Sequence, residues 1–169
     1  NGVRFGLYKT ADYHDRLFPY DPVPRIIESD EYDELEKGLK QRVNALNAYL
    51  KDIYSDKRII HDGVVPEEYV YTSAGYFPQV NGVTPPGGIF AHIAGEDLVQ
   101  GEDGRWWVLE DNLRIPSGAS YPLFVRDIER RISPRLFRDV RIRDNRKYPR
   151  LLRKAMDFVS TEGIAVVLT

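Results

Sequence analysis

The chain has 169 residues, of which 42% are hydrophobic and 30% are charged, as in an ordinary globular domain. A net charge of −2 and a pI of about 6.0 give no reason to expect a nucleic-acid or membrane partner. The absence of cysteine excludes disulfides and thiolate metal sites, and no apolar run approaches the ~20 residues of a membrane helix. No signal peptide is visible, and we expect a cytoplasmic protein.

A long helix is the first strongly predicted element. Pro19, Pro22 and Pro24 predict an extended segment before it, laid over the surface of a core. Ser29 and Asp30 then offer an N-cap ahead of an acidic first turn. Apolar residues follow at three- and four-residue steps and predict an amphipathic helix over residues 30–54. They are Tyr32, Leu35, Leu39, Val43, Leu46, Leu50 and Ile53.

A β-hairpin is predicted farther along the chain. Residues 58–66 favour a short strand or a turn, residues 66–77 a short helix or an edge strand, and "VNGVTPPGG" a loop. "GIFAHIAGEDLVQ" is typical of a strand, "GEDGR" of a tight turn, and "RWWVLEDN" of the returning strand. Counting back from the turn places Asp97 roughly opposite Glu110.

The last part of the chain is predicted to be helical and rich in arginine. Residues 121–158 indicate a helix, a connection and a second helix, with twelve basic and four acidic residues between Arg126 and Lys154. This surface is either exposed and salt-bridged, which we favour, or an electropositive wall facing a phosphate. The chain begins without Met and stops on "GIAVVLT", a predicted strand, so we expect it to be part of a longer protein. The fold class predicted is α/β, with a mixed, largely antiparallel sheet over residues 59–113 packed by the long helix and the C-terminal helices.

Carboxylates and an amide end the second strand of the hairpin. Glu110 and Asn112 are two residues apart and therefore point to one side, whereas Asp111 points to the other. With Asp97 from the partner strand they form an oxygen-ligand set of the kind that Mg²⁺ prefers, completed by substrate phosphates. Two alternatives stay open: a polar strand end exposed to water, and a glycosidase-style acid pair of Asp97 and Glu110, which would leave Asn112 and Arg114 unexplained.

These segments resemble the circularly permuted ATP-grasp proteins related to glutathionylspermidine synthase. The similarity is carried, in order, by "FPYDPVPRII", "LEKGLKQRVNALNAYLKDIY", "GVVPEEYV", "PPGGIFAHIAGEDLV" and "GRWWVLEDNLRIPSGASY". It implies a partial ATP-grasp-like fold and an ATP- and Mg²⁺-dependent ligase that joins a carboxylate, peptide or amino-acid-like, to an amine through an acyl phosphate. Residues 1–121 would be the metal- and substrate-binding part. Residues 122–169 would be an arginine-rich helical segment that leads into a lobe outside this chain, so the chain alone is expected to be inactive.

The resemblance also implies roles for individual residues. Glu110 and Asn112 match the metal ligands, and Asp97 matches an upstream metal-binding aspartate. The loop that follows is expected near the substrate or the transferring phosphate, with Arg114 as the candidate catalytic cation and with Ser117, Gly118 and Ser120. In glutathionylspermidine synthase an arginine precedes the upstream aspartate by two residues, where this chain has Gly95. Lys40 and Arg42 would either face the site or lie on the exposed face of the long helix. The alternative function, from another class, is a non-catalytic scaffold with the same fold.

Overall fold

The computed structural model describes residues 4–5, 16–160 and 162–164, and the elements are numbered here in chain order. Two short antiparallel strands come first, and a long helix follows them. Two short helices and a hairpin come next, and three helices form the C-terminal part. The elements are β1 (Arg4–Phe5), β2 (Arg16–Leu17), α1 (Ser29–Ile53), α2 (Arg58–His61), α3 (Glu67–Tyr71), β3 (Gly95–Gln100), β4 (Trp106–Asn112), α4 (Ser120–Ile132), α5 (Pro134–Asp139) and α6 (Tyr148–Val159).

Helix α1 confirms the predicted helix to within one residue at each end. Its acidic first turn, with Asp30 and Glu31, and Lys51 in its last turn both favour the helix dipole. Its C-terminal end packs into a small core centred on Ile53, Tyr54 and Val70. The end of α1 is therefore anchored by apolar burial.

The core next to α1 is completed by stacked aromatic rings. Tyr54 stacks on Tyr76 at 5.3 Å and on Phe90 at 5.7 Å between ring centroids. Its hydroxyl also accepts a hydrogen bond of 3.1 Å from the backbone N–H of Phe77. Aromatic pairs of this kind add to the area that they bury, so this cluster fixes the segment that leads to the hairpin.

Short helices occupy the segment in which strands were one of the predicted alternatives. The Asp52 carboxylate accepts hydrogen bonds from the backbone N–H groups of Arg58 (3.1 Å) and Ile59 (2.9 Å), so it caps α2. A turn at Asp62–Gly63 ends α2, and α3 follows. The sheet predicted over residues 59–113 is consequently limited, within that range, to the two strands β3 and β4.

The hairpin has the predicted antiparallel pairing and turn. Gly101 and Arg105 close the turn, with the Gly101 N–H donating to the Arg105 carbonyl at 2.8 Å. Gly104 has φ +75°, a left-handed conformation that glycine adopts without strain. The fold is therefore α/β with antiparallel strands and packed helices, as predicted.

The C-terminal region forms the two predicted helices, α4 and α6, but the predicted connection between them contains an additional short helix, α5. Several of its arginines have carboxylate partners, which favours the salt-bridged interpretation of this surface: Arg138 with Asp139, Arg143 with Asp33 and Glu36, Arg146 with Asp127, and Arg153 with Asp157. The predicted final strand falls largely on residues 165–169, which lie outside the described residues. None of the helices described is both long and apolar enough to cross a membrane.

The proline-rich segment before α1 is extended over residues 18–28, as predicted. Nearly all of these residues are exposed. The Tyr20 hydroxyl donates a hydrogen bond to the buried carboxylate of Glu129 in α4. The Arg25 guanidinium lies over the Trp106 ring, 4.9 Å from its centroid. The segment thus contacts both α4 and the hairpin.

Candidate functional site

The end of the hairpin has two faces with different surroundings. The inward face, defined as the side toward α1, carries Glu96, Leu98, Gln100, Trp106, Val108 and Asp111, all of them partly buried. The outward face carries Asp97, Val99, Trp107, Glu110 and Asn112, all of them exposed. Each face holds one pair of carboxylates from opposite strands: Glu96 with Asp111 inward, and Asp97 with Glu110 outward.

A β-bulge determines which face each acidic residue takes. Asp97 pairs with Glu110, but the next pair is Leu98 with Val108, so Leu109 is an extra residue in β4. Strict alternation from Val108 would turn Glu110 inward. Because of the bulge, both Leu109 and Glu110 are exposed and Asp111 is the residue that turns inward.

The inward carboxylates have a cationic partner on α1. The Arg42 guanidinium forks onto Asp111, with Nε–Oδ1 at 2.6 Å and Nη2–Oδ2 at 2.5 Å. This hydrogen bond lowers the pKa of Asp111, and it raises the pKa of Arg42, to which the charges of Asp111 and Glu96 also contribute. Arg42 is therefore bonded to Asp111 and attracts Glu96 through its charge alone, without a hydrogen bond to it.

Two further side chains of α1 fix the hairpin and its entry. Glu31 accepts hydrogen bonds of 2.8 Å from the Trp106 indole N–H and from the Gln100 amide, at the turn end of the hairpin. Asn47 accepts hydrogen bonds of 2.9 Å from the backbone N–H groups of Phe90 and Ala91, and its own amide donates to the Ala91 carbonyl at 3.1 Å. Helix α1 thus holds the hairpin at both ends of its inward face.

The outward carboxylates have no such partner in the described part of the chain. The side chains of Asp97, Glu110 and Asn112 form no hydrogen bond or ion pair there, although Asp97 and Glu110 are directly opposed. Like charges in this position repel each other. Two carboxylates and an amide oxygen on one face are a donor set that suits a hard cation such as Mg²⁺. The predicted pairing of Asp97 with Glu110 is confirmed, while their role as ligands stays a prediction.

No group of three or more His, Cys, Asp or Glu side chains within the described ranges could hold a metal ion by itself. The outward set has only two carboxylates, with Asn112 as the third donor. Such a set fits a cation whose remaining ligands come from water or from substrate phosphates, as is usual for Mg²⁺.

The loop after β4 lies beside the outward face. A Cβ atom added to Gly95 would lie 3.1 Å from Cβ of Pro116 and 3.8 Å from Cβ of Asn112. Pro116 therefore covers Gly95 on the outward face. A side chain at Gly95 would push the loop away from Asn112.

The predicted loop residues take separate positions. The Arg114 guanidinium lies over the Phe77 ring, 5.7 Å from the centroid, and the structure shows no ion pair between it and Asp97 or Glu110. Ser117 is exposed, Gly118 has φ +86°, and Ser120 is the first residue of α4. The structure thus brings the loop close to the ligand set but does not place Arg114 in contact with it.

Sequence reasoning did not find the inward pair. The sequence predicts that Arg42 faces either the site or solvent, but it reaches Asp111 instead. Lys40 pairs with Glu36 at 2.8 Å on the exposed side of α1. The sequence assigns no role to Asp111. One signal could have indicated a partner for Asp111. Its side chain points to the face opposite those of Glu110 and Asn112, so a cation is expected on the inward side.

Comparison with known proteins identifies the family. A family model described as a circularly permuted ATPgrasp matches residues 24–169. An uncharacterized protein of Synechocystis is 45% identical over 148 residues, which are 88% of this chain and 31% of that protein. An uncharacterized protein of Mycobacterium tuberculosis is 42% identical over 172 residues, or 99% of this chain and 30% of that protein.

A third relative carries a functional name. A putative glutamate–cysteine ligase of Frankia casuarinae is 43% identical over 127 residues, which are 75% of this chain and 15% of that protein. The chain therefore spans less than a third of the length of each of these relatives. The match to the family model covers most of the chain, and the chain belongs to the circularly permuted ATP-grasp family.

Proposed function

We propose that this chain supplies the metal-binding and substrate-facing part of an ATP- and Mg²⁺-dependent carboxylate–amine ligase. Family membership and the ligase names of the Frankia relatives support a function of this kind. The observation that carries the proposal is the outward pair, Asp97 opposite Glu110 with Asn112 alongside, which the described part of the chain leaves without a cation. Residues 1–121 would hold this site, and residues 122–169 would connect it to the remainder of a longer, cytoplasmic protein.

The chemistry assigned to these residues is electrostatic. A divalent cation at this position would neutralise the charge that develops between a γ-phosphate and an acyl oxygen. The carboxylates of Asp97 and Glu110 and the amide oxygen of Asn112 would hold it at the strand ends. Ser117 and Ser120 would offer hydroxyl donors to a phosphate or carboxylate at the start of α4, since helix N-termini favour anions.

Arg114 would supply a cation to the acyl phosphate. Its present position over Phe77 is held by a cation–π contact, which at an exposed site contributes about 0.5–1 kcal/mol. Arg114 could therefore leave Phe77 for a phosphate oxygen at little cost. The similarity to glutathionylspermidine synthase suggests a peptide or amino-acid-like carboxylate and an amine as substrates.

Since the chain covers less than a third of its relatives, we expect no turnover of ATP by the chain alone. The metal site can be tested without turnover. Mn²⁺ at substoichiometric concentration should broaden the backbone amide NMR signals of residues 95–97 and 110–112 before others. Glu110→Gln should abolish this selectivity, because the carboxylate is replaced by a neutral isostere.

The matched control for this test is Glu102→Gln. Glu102 is an exposed carboxylate in the turn at the other end of the hairpin, so its removal should leave the broadening unchanged. Broadening that is spread evenly over exposed carboxylates, and that Glu110→Gln does not alter, would refute the metal site. That outcome would favour the non-catalytic scaffold.

A further inference from the structure

We propose that Arg42 is a positioning residue for the metal site: by fixing Asp111 on the inward face, it holds Glu110 and Asn112 on the outward face. The inference rests on the proposed function, because it gives Arg42 a role at that same site. Arg42 itself points to the opposite side of the sheet and would not touch the metal.

The first step is the alternation of side chains along β4. Asp111 lies between Glu110 and Asn112, so a rotation of the strand that moved Asp111 would move both neighbours. Arg42 donates one bond to each oxygen of the carboxylate, from Nε to Oδ1 and from Nη2 to Oδ2, and such a two-point contact fixes orientation as well as distance. A single-point contact would leave Asp111 free to turn.

The second step is the way in which the hairpin is supported. Between α1 and the inward face lies an open groove of about 650 Å³, lined by Leu35, Leu39, Leu98 and Val108 among others. The middle of the hairpin is therefore not tightly packed on α1. Its position depends on the polar contacts at its ends, and the contact nearest to Glu110 and Asn112 is the one between Arg42 and Asp111.

The third step is the location of the bulge. An extra residue in a strand weakens the ladder locally and increases its twist. Leu109 directly precedes the ligand residues, so the backbone bonds that would otherwise hold them are interrupted on that side. A side-chain anchor is needed just beyond the bulge, and Arg42 provides it.

The variant that tests the inference is Arg42→Gln, because two explanations predict opposite results for it. Removing a positive charge near a cation site should tighten Mn²⁺ binding if only Coulomb forces act. Loss of positioning should weaken it, by roughly the tenfold that loss of a supporting partner costs at metal sites. Mn²⁺ affinity is measured by titration of amide broadening, at a temperature where circular dichroism shows the variant folded.

Two further variants complete the experiment. Arg143→Gln is the control, because Arg143 also forms ion pairs with carboxylates of α1, those of Asp33 and Glu36. This variant should leave the Mn²⁺ affinity unchanged. Arg42→Lys keeps the charge but loses the forked geometry, and it should recover only part of the affinity. If Arg42 contributed only to folding, its substitution would lower the melting temperature without changing the Mn²⁺ affinity of the folded protein.

Hydrogen exchange without metal gives an independent measurement. Arg42→Gln should speed exchange of the amides of residues 110–112 more than that of residues 106–108. Mn²⁺ affinity equal to or tighter than that of the wild-type chain, or unaltered exchange at residues 110–112, would overturn the inference. Failure of the proposed function looks different, since in that case the wild-type chain and Glu110→Gln would respond to Mn²⁺ alike.

Discussion

The two faces of the hairpin end carry the same chemistry in different settings. Each has a pair of carboxylates from opposite strands, Glu96 with Asp111 and Asp97 with Glu110. The inward pair faces Arg42, whereas the outward pair faces no cation in the part of the chain that the structure describes. The inward charges serve the fold, whereas the outward charges are the ones that we propose bind a cation, and the difference can be tested by changing each face separately.

The largest effect is expected from Asn47→Ala, which cuts the connection of α1 to the entry of β3. The backbone N–H groups of Phe90 and Ala91 would lose their acceptor at a partly buried position. We expect the free energy of unfolding to fall by about 2–3 kcal/mol, measured by urea denaturation. Asn44→Ala, at an exposed position on the same helix, is the control and should be neutral or slightly stabilising. Equal effects of the two variants would contradict this account of Asn47.

Two glycine substitutions, one in β3 and one in α1, should change the free energy of unfolding in opposite directions. Gly95→Ala would bring a methyl group against Pro116 and should destabilise the chain by about 1 kcal/mol. Gly38→Ala, in α1 with open space around the added methyl, should stabilise it by about 1 kcal/mol. Thermal unfolding of both variants measures the difference. Stabilisation by Gly95→Ala would mean that Pro116 does not rest on this position.

Neutralising the outward pair should stabilise the metal-free chain. Asp97→Asn removes the repulsion from Glu110, which for directly opposed side chains is worth about 0.2–1 kcal/mol. The gain should shrink at high salt because both groups are exposed. Saturating Mn²⁺ should reverse the order, so that the wild-type chain becomes the more stable protein. Thermal unfolding with and without Mn²⁺ checks this, and destabilisation by Asp97→Asn in low salt without metal would contradict it.

The smallest effect concerns acid stability on the inward face. The hydrogen bond from Arg42 lowers the pKa of Asp111. The ion pair therefore stabilises the fold fully above the ordinary aspartate pKa of about 4, and this contribution is lost as the pH falls through the lowered pKa of the folded state. The stability difference between the wild-type chain and Asp111→Asn should be constant near neutral pH and shrink in acid.

Asp127→Asn offers a comparison for that measurement. Arg146 lowers the pKa of Asp127 through a hydrogen bond of 2.9 Å, so this variant should show the same sign. Urea denaturation at a series of pH values gives both curves. A difference between wild type and Asp111→Asn that grew in acid would show that Asp111 gains nothing from Arg42 in the folded state.

Elements that depend on local patterns could be predicted from the sequence. The apolar stripe of α1 repeats over seven turns, so the helix bounds followed. The tight turn at Asp103–Gly104 sets the register of the adjacent strand pairs, so the rough opposition of Asp97 and Glu110 followed as well. The α/β class and the family followed from these elements and from their motifs.

Features that depend on distant contacts could not be predicted in this way. The partner of Asp111 lies 69 residues earlier in the chain, and no local pattern connects the two. The bulge at Leu109 could not be predicted, because residues 105–112 have the composition of a continuous strand. The four-residue helix α2 could not be predicted either. The Asp52 side chain caps it, and the spacing of apolar residues does not indicate such a hydrogen bond.

The chain has two tryptophans, and the hairpin places one on each of its faces. Trp106 is tied to Glu31 and covered by Arg25, whereas Trp107 is 52% exposed. Their fluorescence is therefore a built-in reporter of the two sides. In a Trp106→Phe chain, a collisional quencher such as acrylamide would reach the exposed part of the remaining indole, which Arg105 partly covers. Any lobe or partner that closed over the outward face would shield it, and the occupancy of that face could be followed without an added label.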